Sequence, residues 1–531
     1  MAKREARVTE STGKRPIQDL REWLARVEEM GDLIRVKQPV SCEEEMSAIG
    51  YLVAKQNPSP AILFESVKGY EKSSFKARLL WNILGPSIPR IALTMEEPPD
   101  TTTVELIRRV KDKLKARTVP KEVAQAGFYE NTLTGDKIDL TQLPIPKHWP
   151  LDGGRYGGTA DAVITRDPDS GYLNVGTYRM MLQGKNEVGL YLSPGKDARL
   201  HITRSWQMGK PVQVAAAWGI DPLFMVVGSQ TFPKNVSEYE FLGGIKGEPI
   251  PVVKGKTTDL LLPANAEFII EGIIKPNSVK SEGPFGEFPG YYGRPEAGCP
   301  LVEVTAVHYR NNPILTNALM ADYPSNEQSG FFSIIRSARI WDDLDKLGIP
   351  GIQGIYAHPA GAGGFGMTVI SLEQRYAGHA AQALALAAQV PGGAYYTKWI
   401  IAVDEDVDPT DMDQVIWAMS SRCNPIDDVD ILRNTWSTWL DPTQNPPEKR
   451  PYGSKALINA CKEHRHLPVF SKRTALRKEM YDKVAGEWKK LGLPGQIPTV
   501  RAFEEEKKVV YHEVGGFEPG KQPGEQSEKK K

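Results

Sequence analysis

Residues 160–182 read ADAVITRDPDSGYLNVGTYRMML. Two apolar-rich alternating runs flank Pro168, Asp169, Ser170 and Gly171, residue types that favour tight turns. Alternation with a period of two on both sides of a turn predicts paired antiparallel strands. The second run also sets Arg179 among apolar neighbours, where an unpaired guanidinium is costly. This stretch therefore argues for a sheet and for a carboxylate or phosphate partner of Arg179 at once.

Working outward, the pattern recurs in PVQVAAAWGI (211–220), FMVVGSQ (224–230), FIIEGIIK (268–275) and LVEVTAVHYR (301–310), with Gly, Pro and Asp turns between them. Residues 129–325 are expected to form a largely antiparallel barrel or sandwich. On the N-terminal side, residues 16–128 read as a small α/β portion. Leu20, Trp23, Leu24 and Val27 fall at helical spacing, with Asp19 as N-cap and Gly31 as terminator. EEEMSAIGYLVAKQ predicts a second helix, PAILFESV a buried strand and TTTVELIRRVKDKLKAR a closing helix. Residues 326–500 return to α/β: TVISLEQ, HAAQALALAAQ, TKWIIAVDEDV and DQVIWAMSSR read as strand, helix, strand, helix. LDPTQNPPEKRPYG breaks that order, and residues 501–531 form a polar tail expected to be disordered. The fold class is mixed α/β (α+β).

A chain of 531 residues exceeds one compact core, so several domains are expected. Lys plus Arg and Asp plus Glu both number 66, leaving no overall basic field for nucleic acid or an anionic membrane. The four cysteines form no CxxC pair and read as reduced thiols of a cytoplasmic protein. The first twenty residues carry no apolar core of a secretory signal, and no apolar run has the length to cross a bilayer.

The chemistry concentrates in SEGPFGEFPGYYG, residues 281–293. Five residues apart on a regular element, Glu282 and Glu287 would splay to different sides. In a loop broken by Gly283, Pro284 and Gly286, the backbone can aim both at one point. That loop follows another strand of the same expected barrel, which makes a Glu–Arg–Glu cluster with Arg179 geometrically reasonable. A structural salt bridge is the plainer reading of Arg179. Two carboxylates on one Arg would differ in pKa, one ionised and the other able to carry a proton.

Asn174 and Glu238 offer oxygen ligands to a hard cation, and Asp197 and His201 stand i, i+4 at the start of an expected helix. Such a set suits Mn²⁺ or Mg²⁺ better than zinc. CKEHRH (461–466) lacks the second half of a zinc site, and GAGGFG (361–366) lacks the Lys-Ser/Thr of a phosphate loop.

Seven ordered segments together resemble the UbiD family of decarboxylases, which use prenylated FMN: DLREWLARVEEMGDLIRV, IDLTQLPIPKHWPLDGGRY, NVGTYRMM, SEYEFLGGIKGEPI, EGPFGEFPGYYG, YAGHAAQAL and TKWIIAVDEDVDPTDMDQVIWAMSSR. The resemblance implies an N-terminal α/β portion, a central split β-barrel that binds the flavin, and a C-terminal α/β oligomerisation domain. It places the family's catalytic set on Glu282, Arg179 and Glu287, with Glu287 as proton donor. It implies flavin contacts from Thr159, Asn174, Val175, Gly176, Thr177, Arg179, Ser229, Glu238 and Lys398. The metal would lie near Asn174 and Glu238, with K⁺ as a further ion. Where relatives read SPGKH, this chain reads SPGKD; either Asp197 replaces that histidine or His201 reaches in from the next turn.

The expected reaction is reversible, non-oxidative decarboxylation of an aromatic acid of the hydroxybenzoate type. Trp436 and Trp439 in RNTWSTWLDP are candidates for stacking the ring, and His358 for bonding a phenolic oxygen. Expected partners are a prenyl-FMN synthase that supplies the cofactor and further copies of the chain, as a homodimer or larger. The alternative is a flavin-dependent oxidoreductase with plain FMN on the same barrel.

Overall fold

The computed structural model describes residues 15–444, 452–467, 470–500 and 503. The polar tail expected after residue 500 thus lies, apart from Phe503, outside the described residues, as do residues 445–451 of the Pro-rich break.

A ten-stranded sheet forms the middle of the molecule. Its path runs Tyr156–Gly158, Met180–Leu182, Glu187–Leu190, Glu296–Tyr309, Phe268–Ile274, Val212–Trp218, Ala162–Arg166 and Leu173–Gly176. Every pairing along this path is antiparallel. Leu173–Gly176 and Met180–Leu182 follow each other in sequence yet stand near opposite ends of the path. Four Cα steps span roughly 14 Å at most, so the sheet must curl until its ends almost meet. The result is a barrel split at Thr177–Arg179. The single strand expected over 172–182 is therefore two strands with a crossing between them, and Arg179 occupies the crossing.

FMVVGSQ also departs from expectation: Leu223–Gly228 is a short helix. A brief apolar run does not distinguish a strand from a buried helix. Just before this helix, the Asp221 carboxylate accepts the Leu223 N–H at 2.9 Å.

The N-terminal sheet orders Leu33–Val36, Ala61–Phe64, Arg78–Trp81 and Ile314–Thr316, so the chain returns after the barrel to complete it. The helix Leu20–Glu29 buries the four predicted apolar residues, and Asp19 caps it through the Glu22 N–H. The helices expected in EEEMSAIGYLVAKQ and TTTVELIRRVKDKLKAR are Glu45–Ala54 and Thr103–Lys113. In the C-terminal unit, Met367–Leu372, Trp399–Asp404 and Tyr452–Ala460 pair in parallel, flanked by antiparallel edges Ile352–Ala357 and Val429–Trp436. The 20-residue helix Glu327–Lys346, which carries no strong sequence signal of its own, packs between the units. Its Glu327 carboxylate accepts the N–H groups of Ile83, Leu84 and Gly85, tying it to the N-terminal sheet. Among the described residues no helix is long and apolar enough to cross a membrane.

Candidate active site

Glu282 ends the strand Val279–Glu282, whose pairing with Glu296–Tyr309 shifts register at that point. The chain then turns through Gly283, at φ +86°, where a β-carbon would be strained. Phe285–Gly286 pairs with Tyr292–Gly293 in a small ribbon, and Glu287 follows at the start of a turn closed by Gly290 N–H to Glu287 C=O. Both acids come back to one guanidinium. Arg179 Nε and Nη2 donate to the two oxygens of Glu282 at 2.8 Å each, and Nη1 donates to Glu287 Oε1 at 2.5 Å.

The cluster is dry. Arg179 is 7% exposed and Glu282 fully buried. The guanidinium lies 3.8 Å above the Tyr191 ring and 5.2 Å from that of Phe285. Burial alone would lower the Arg179 pKa; Glu287 and Glu282 outweigh it and raise it. Burial raises the Glu287 carboxyl, with Arg179 opposing. A carboxyl raised by burial and still bonded to a fixed cation can hold a proton and deliver it. Tyr191 and Tyr395 both lie in the field of Glu287, and neither stood out in the sequence. Their only signal was a Tyr just before SPGKD and a Tyr pair before Lys398.

Glu238, Asn174, Gly176 and Thr177 lie on or against the Leu173–Gly176 side of the split, and the other predicted residues have neighbours of their own. Glu238 accepts the Val175 N–H at 2.7 Å, and burial pushes its carboxyl up to about 8. Asn174 is buried beside the Tyr178 hydroxyl. Gly176 leaves no room for a β-carbon, which would meet the Tyr178 ring at 2.6 Å. The Thr177 hydroxyl is buried without a hydrogen-bond partner, and its N–H donates to Gly228 C=O. Thr159 Oγ1 accepts the Ala318 N–H, while the Ser229 hydroxyl donates to Val226 C=O. Lys398 pairs with Asp441 at 2.9 Å.

Asp197 and His201 do begin a helix, Asp197–Gln207. His201 is 2% exposed, with Nδ1 3.0 Å from Thr165 Oγ1 and Nε2 3.5 Å from Asp167 without a hydrogen bond. Asp197 acts on His201 and also on Glu238, Tyr172 and Tyr178. No group of three or more His, Cys, Asp or Glu is close enough to hold a metal among the described residues. The donor chemistry still fits a hard cation with ligand oxygens completing its shell: an amide, a buried carboxylate drawn toward a positive charge, and Asp197. The orphaned Thr177 hydroxyl and the Lys398 ammonium likewise fit a phosphorylated flavin.

The expected substrate residues are less assembled. Trp436 is 56% exposed and stands edge-on to Tyr395 with ring centres 5.0 Å apart. Trp439 is covered by the Arg294 guanidinium at 4.9 Å. His358 Nδ1 accepts the Ala360 N–H of its own loop. By contrast Leu440 reaches the acid loop, since a β-carbon on Gly293 would meet both Leu440 Cδ2 and Glu287 Cγ at 3.2 Å.

Comparison with known proteins agrees along the chain. The 3-octaprenyl-4-hydroxybenzoate carboxy-lyase Rift-related domain matches residues 121–323, the corresponding C-terminal domain residues 329–460 and the N-terminal domain residues 24–110. A phenolic acid decarboxylase of Bacillus subtilis is 33% identical over 438 residues, covering 81% of this chain and 90% of its own. The vanillic acid decarboxylase of Sedimentibacter hydroxybenzoicus, in closed form, superposes with a TM-score of 0.78 at 31% identity, covering 90% of this chain and 100% of its own. An evolved dimeric form of the UbiD-class enzyme HmfF from Pelotomaculum thermopropionicum, in complex with prFMN, gives 0.75 at 28% identity, covering 87% and 97%. With all three domain models matched in order, the chain belongs to the UbiD family of decarboxylases.

Proposed function

We propose that this protein decarboxylates an aromatic acid of the hydroxybenzoate type, with Glu287 as proton donor, Arg179 as its electrostatic anchor and Glu282 as the group that fixes Arg179. The observation that carries the reading is the buried Glu282–Arg179–Glu287 cluster at the split of the barrel, with the Glu287 carboxyl raised by burial. The relatives named for phenolic and vanillic acids support the substrate class.

Loss of CO₂ leaves an electron pair on a ring carbon, which no side chain can delocalise. Prenylated FMN, when bound, supplies the electron-poor centre that accepts it; a relative bound to prFMN supports this cofactor. Thr159, Val175, Gly176, Thr177, Ser229 and Lys398 would hold it, Lys398 at the phosphate. Asn174, Glu238 and Asp197 would hold Mn²⁺ or Mg²⁺, with His201, whose Nδ1 faces Thr165 and whose buried Nε2 has no hydrogen-bond partner, as the alternative third ligand.

The side chains then do three things. Arg179 presents N–H donors beyond the three that bind the acids, free to orient a carboxylate. Tyr191, Tyr395 and Leu440 exclude water around Glu287. Glu287 gives its proton to the carbon that lost CO₂, so proton and electron pair end in one C–H bond. Water restores the proton. Run backwards at high CO₂, the same steps carboxylate the ring. The working enzyme would be a cytoplasmic homodimer or larger assembly supplied by a prenyl-FMN synthase.

The test is protein made with and without that synthase, assayed anaerobically for CO₂ from a panel of hydroxybenzoates, with the mass of the released flavin. Turnover confined to the co-expressed sample is expected. Plain FMN in both samples, hydride exchange with a nicotinamide and no CO₂ would favour the oxidoreductase reading instead.

A further inference from the structure

The ribbon that carries Glu287 is too small to hold itself. Two residues pair with two, and an isolated two-stranded ribbon is marginal even when longer. A catalytic acid on such a support needs outside ties. Besides Arg179 and Asn326, which hold Glu287 and Phe288, those ties come from one segment, residues 148–156.

The Gly153 N–H donates to Pro284 C=O at 2.8 Å, and the Leu151 N–H to the Tyr292 hydroxyl at 3.2 Å. Gly153 and Gly286 allow contact that side chains would forbid. A β-carbon on Gly153 would lie 2.0 Å from Gly283 O, and one on Gly286 would lie 2.2 Å from the Trp149 ring. Of the segment's two charged groups, Arg155 turns away to Glu43 at 2.9 Å, and Asp152, 6% exposed, faces the ribbon. Its Oδ1 accepts the Gly286 N–H at 3.0 Å, while Oδ2 accepts the Trp149 and His148 N–H groups at 2.9 and 3.2 Å.

Three backbone donors thus converge on two oxygens. An acceptor-only group is required; an amide would turn its NH₂ onto a donor. Among the described residues no ion pair reaches Asp152, Lys147 opposing only through its field, and burial raises the carboxyl against those three bonds. A buried carboxylate without a counter-ion is expensive unless its bonds fix something. What it fixes is the amide directly before Glu287.

We infer that Asp152 is a positioning residue for Glu287, locking the Phe285–Gly286 ribbon so that the acid stays buried against Arg179. This rests on Glu287 being the proton donor. Acting through the backbone, Asp152 touches neither substrate nor cofactor. Misplacement of a reacting group by about 1 Å costs on the order of 100-fold in rate.

The experiment uses full-length flavin-loaded Asp152→Asn beside the wild type. Amide hydrogen exchange over residues 283–287 is expected to quicken at least tenfold, with no change in the helix Glu327–Lys346. In turnover, kcat should fall between tenfold and 100-fold while KM and bound flavin change less than threefold. The basic limb of the kcat profile should also move down. Arg179, Glu282, Tyr191 and Tyr395 all face Glu287, and a loosened acid leaves the burial that raises it and returns toward the ordinary carboxylate range. Unchanged exchange over 283–287, or a kcat loss matched by a loss of folded protein with an unmoved pH profile, would overturn the inference. Should Asp152→Asn not fold, Asp152→Ser keeps an acceptor for the Trp149 amide and still frees Gly286. Because exchange is read without substrate, it judges the clamp even if the wild type releases no CO₂.

Discussion

Replacing Arg179 by Met removes the cation from a dry cluster and leaves its acids behind. Glu282 loses both donors, at 2.8 Å each, and Glu287 loses the one at 2.5 Å. Stranding one partner of a buried ion pair costs about 3–5 kcal/mol. For a unit the size of the central barrel, each kcal/mol is worth about 2–4 °C, so the unfolding midpoint should drop on the order of 10 °C at pH 7. The deficit should depend on pH. Burial already raises the Glu287 carboxyl and Arg179 opposes it, so losing Arg179 lifts the folded-state value further. A carboxyl raised above its unfolded value of about 4.3 contributes fully below that pH and loses stability as pH rises toward the folded value. Each proton so held adds about 1.4 kcal/mol of deficit per pH unit. Calorimetry of wild type and Arg179→Met at pH 5 and pH 7 reads this directly. A deficit under about 1 kcal/mol, or one equal at both pH values, would refute the claim that the cluster is dry and mutually dependent.

Glu287→Gln should keep the bound flavin and the fold but cut CO₂ release at least 100-fold, the usual range for a lost general acid; retained turnover would remove Glu287 from its role. At the far side of the barrel, Glu271 accepts from His308 Nε2 at 2.8 Å and from the N–H groups of Lys256, Thr257 and Thr258. Burial would raise its carboxyl, but these partners outweigh it and hold it at about 2. Its stability is then present above the unfolded value and lost as pH falls toward 2, on the order of 3 kcal/mol. Acid denaturation curves should lose that slope in Glu271→Gln. For the metal, Asp197→Ala should weaken Mn²⁺ binding to the flavin-loaded protein at least about tenfold, and His201→Ala should leave it nearly unchanged; titration calorimetry showing the reverse would return the ligand role to His201.

The sequence by itself determined the mixed α/β class and the antiparallel middle, and it made two acids on one arginine a reasonable expectation. Those properties are local: alternation writes strands, Gly and Pro write turns, and an Arg in an apolar run demands a partner wherever the chain goes. It also carried the family, through segments whose order needs no coordinates. Tertiary structure decided the rest. The break at Thr177–Arg179 exists because the sheet curls until its ends nearly meet, a closure that no window of ten residues encodes. Leu223–Gly228 became a helix where hydrophobicity alone left strand and helix equal, with Asp221 accepting the Leu223 N–H just before it. Asp197 and His201 share a helical face by spacing, yet the Ala162–Arg166 strand beneath claims the histidine through Thr165. The ties from Asp152 and Gly153 to the acid loop span more than 130 residues of chain. Such contacts depend on two distant backbones fitting without side chains between them, and that fit appears only when the chain has folded.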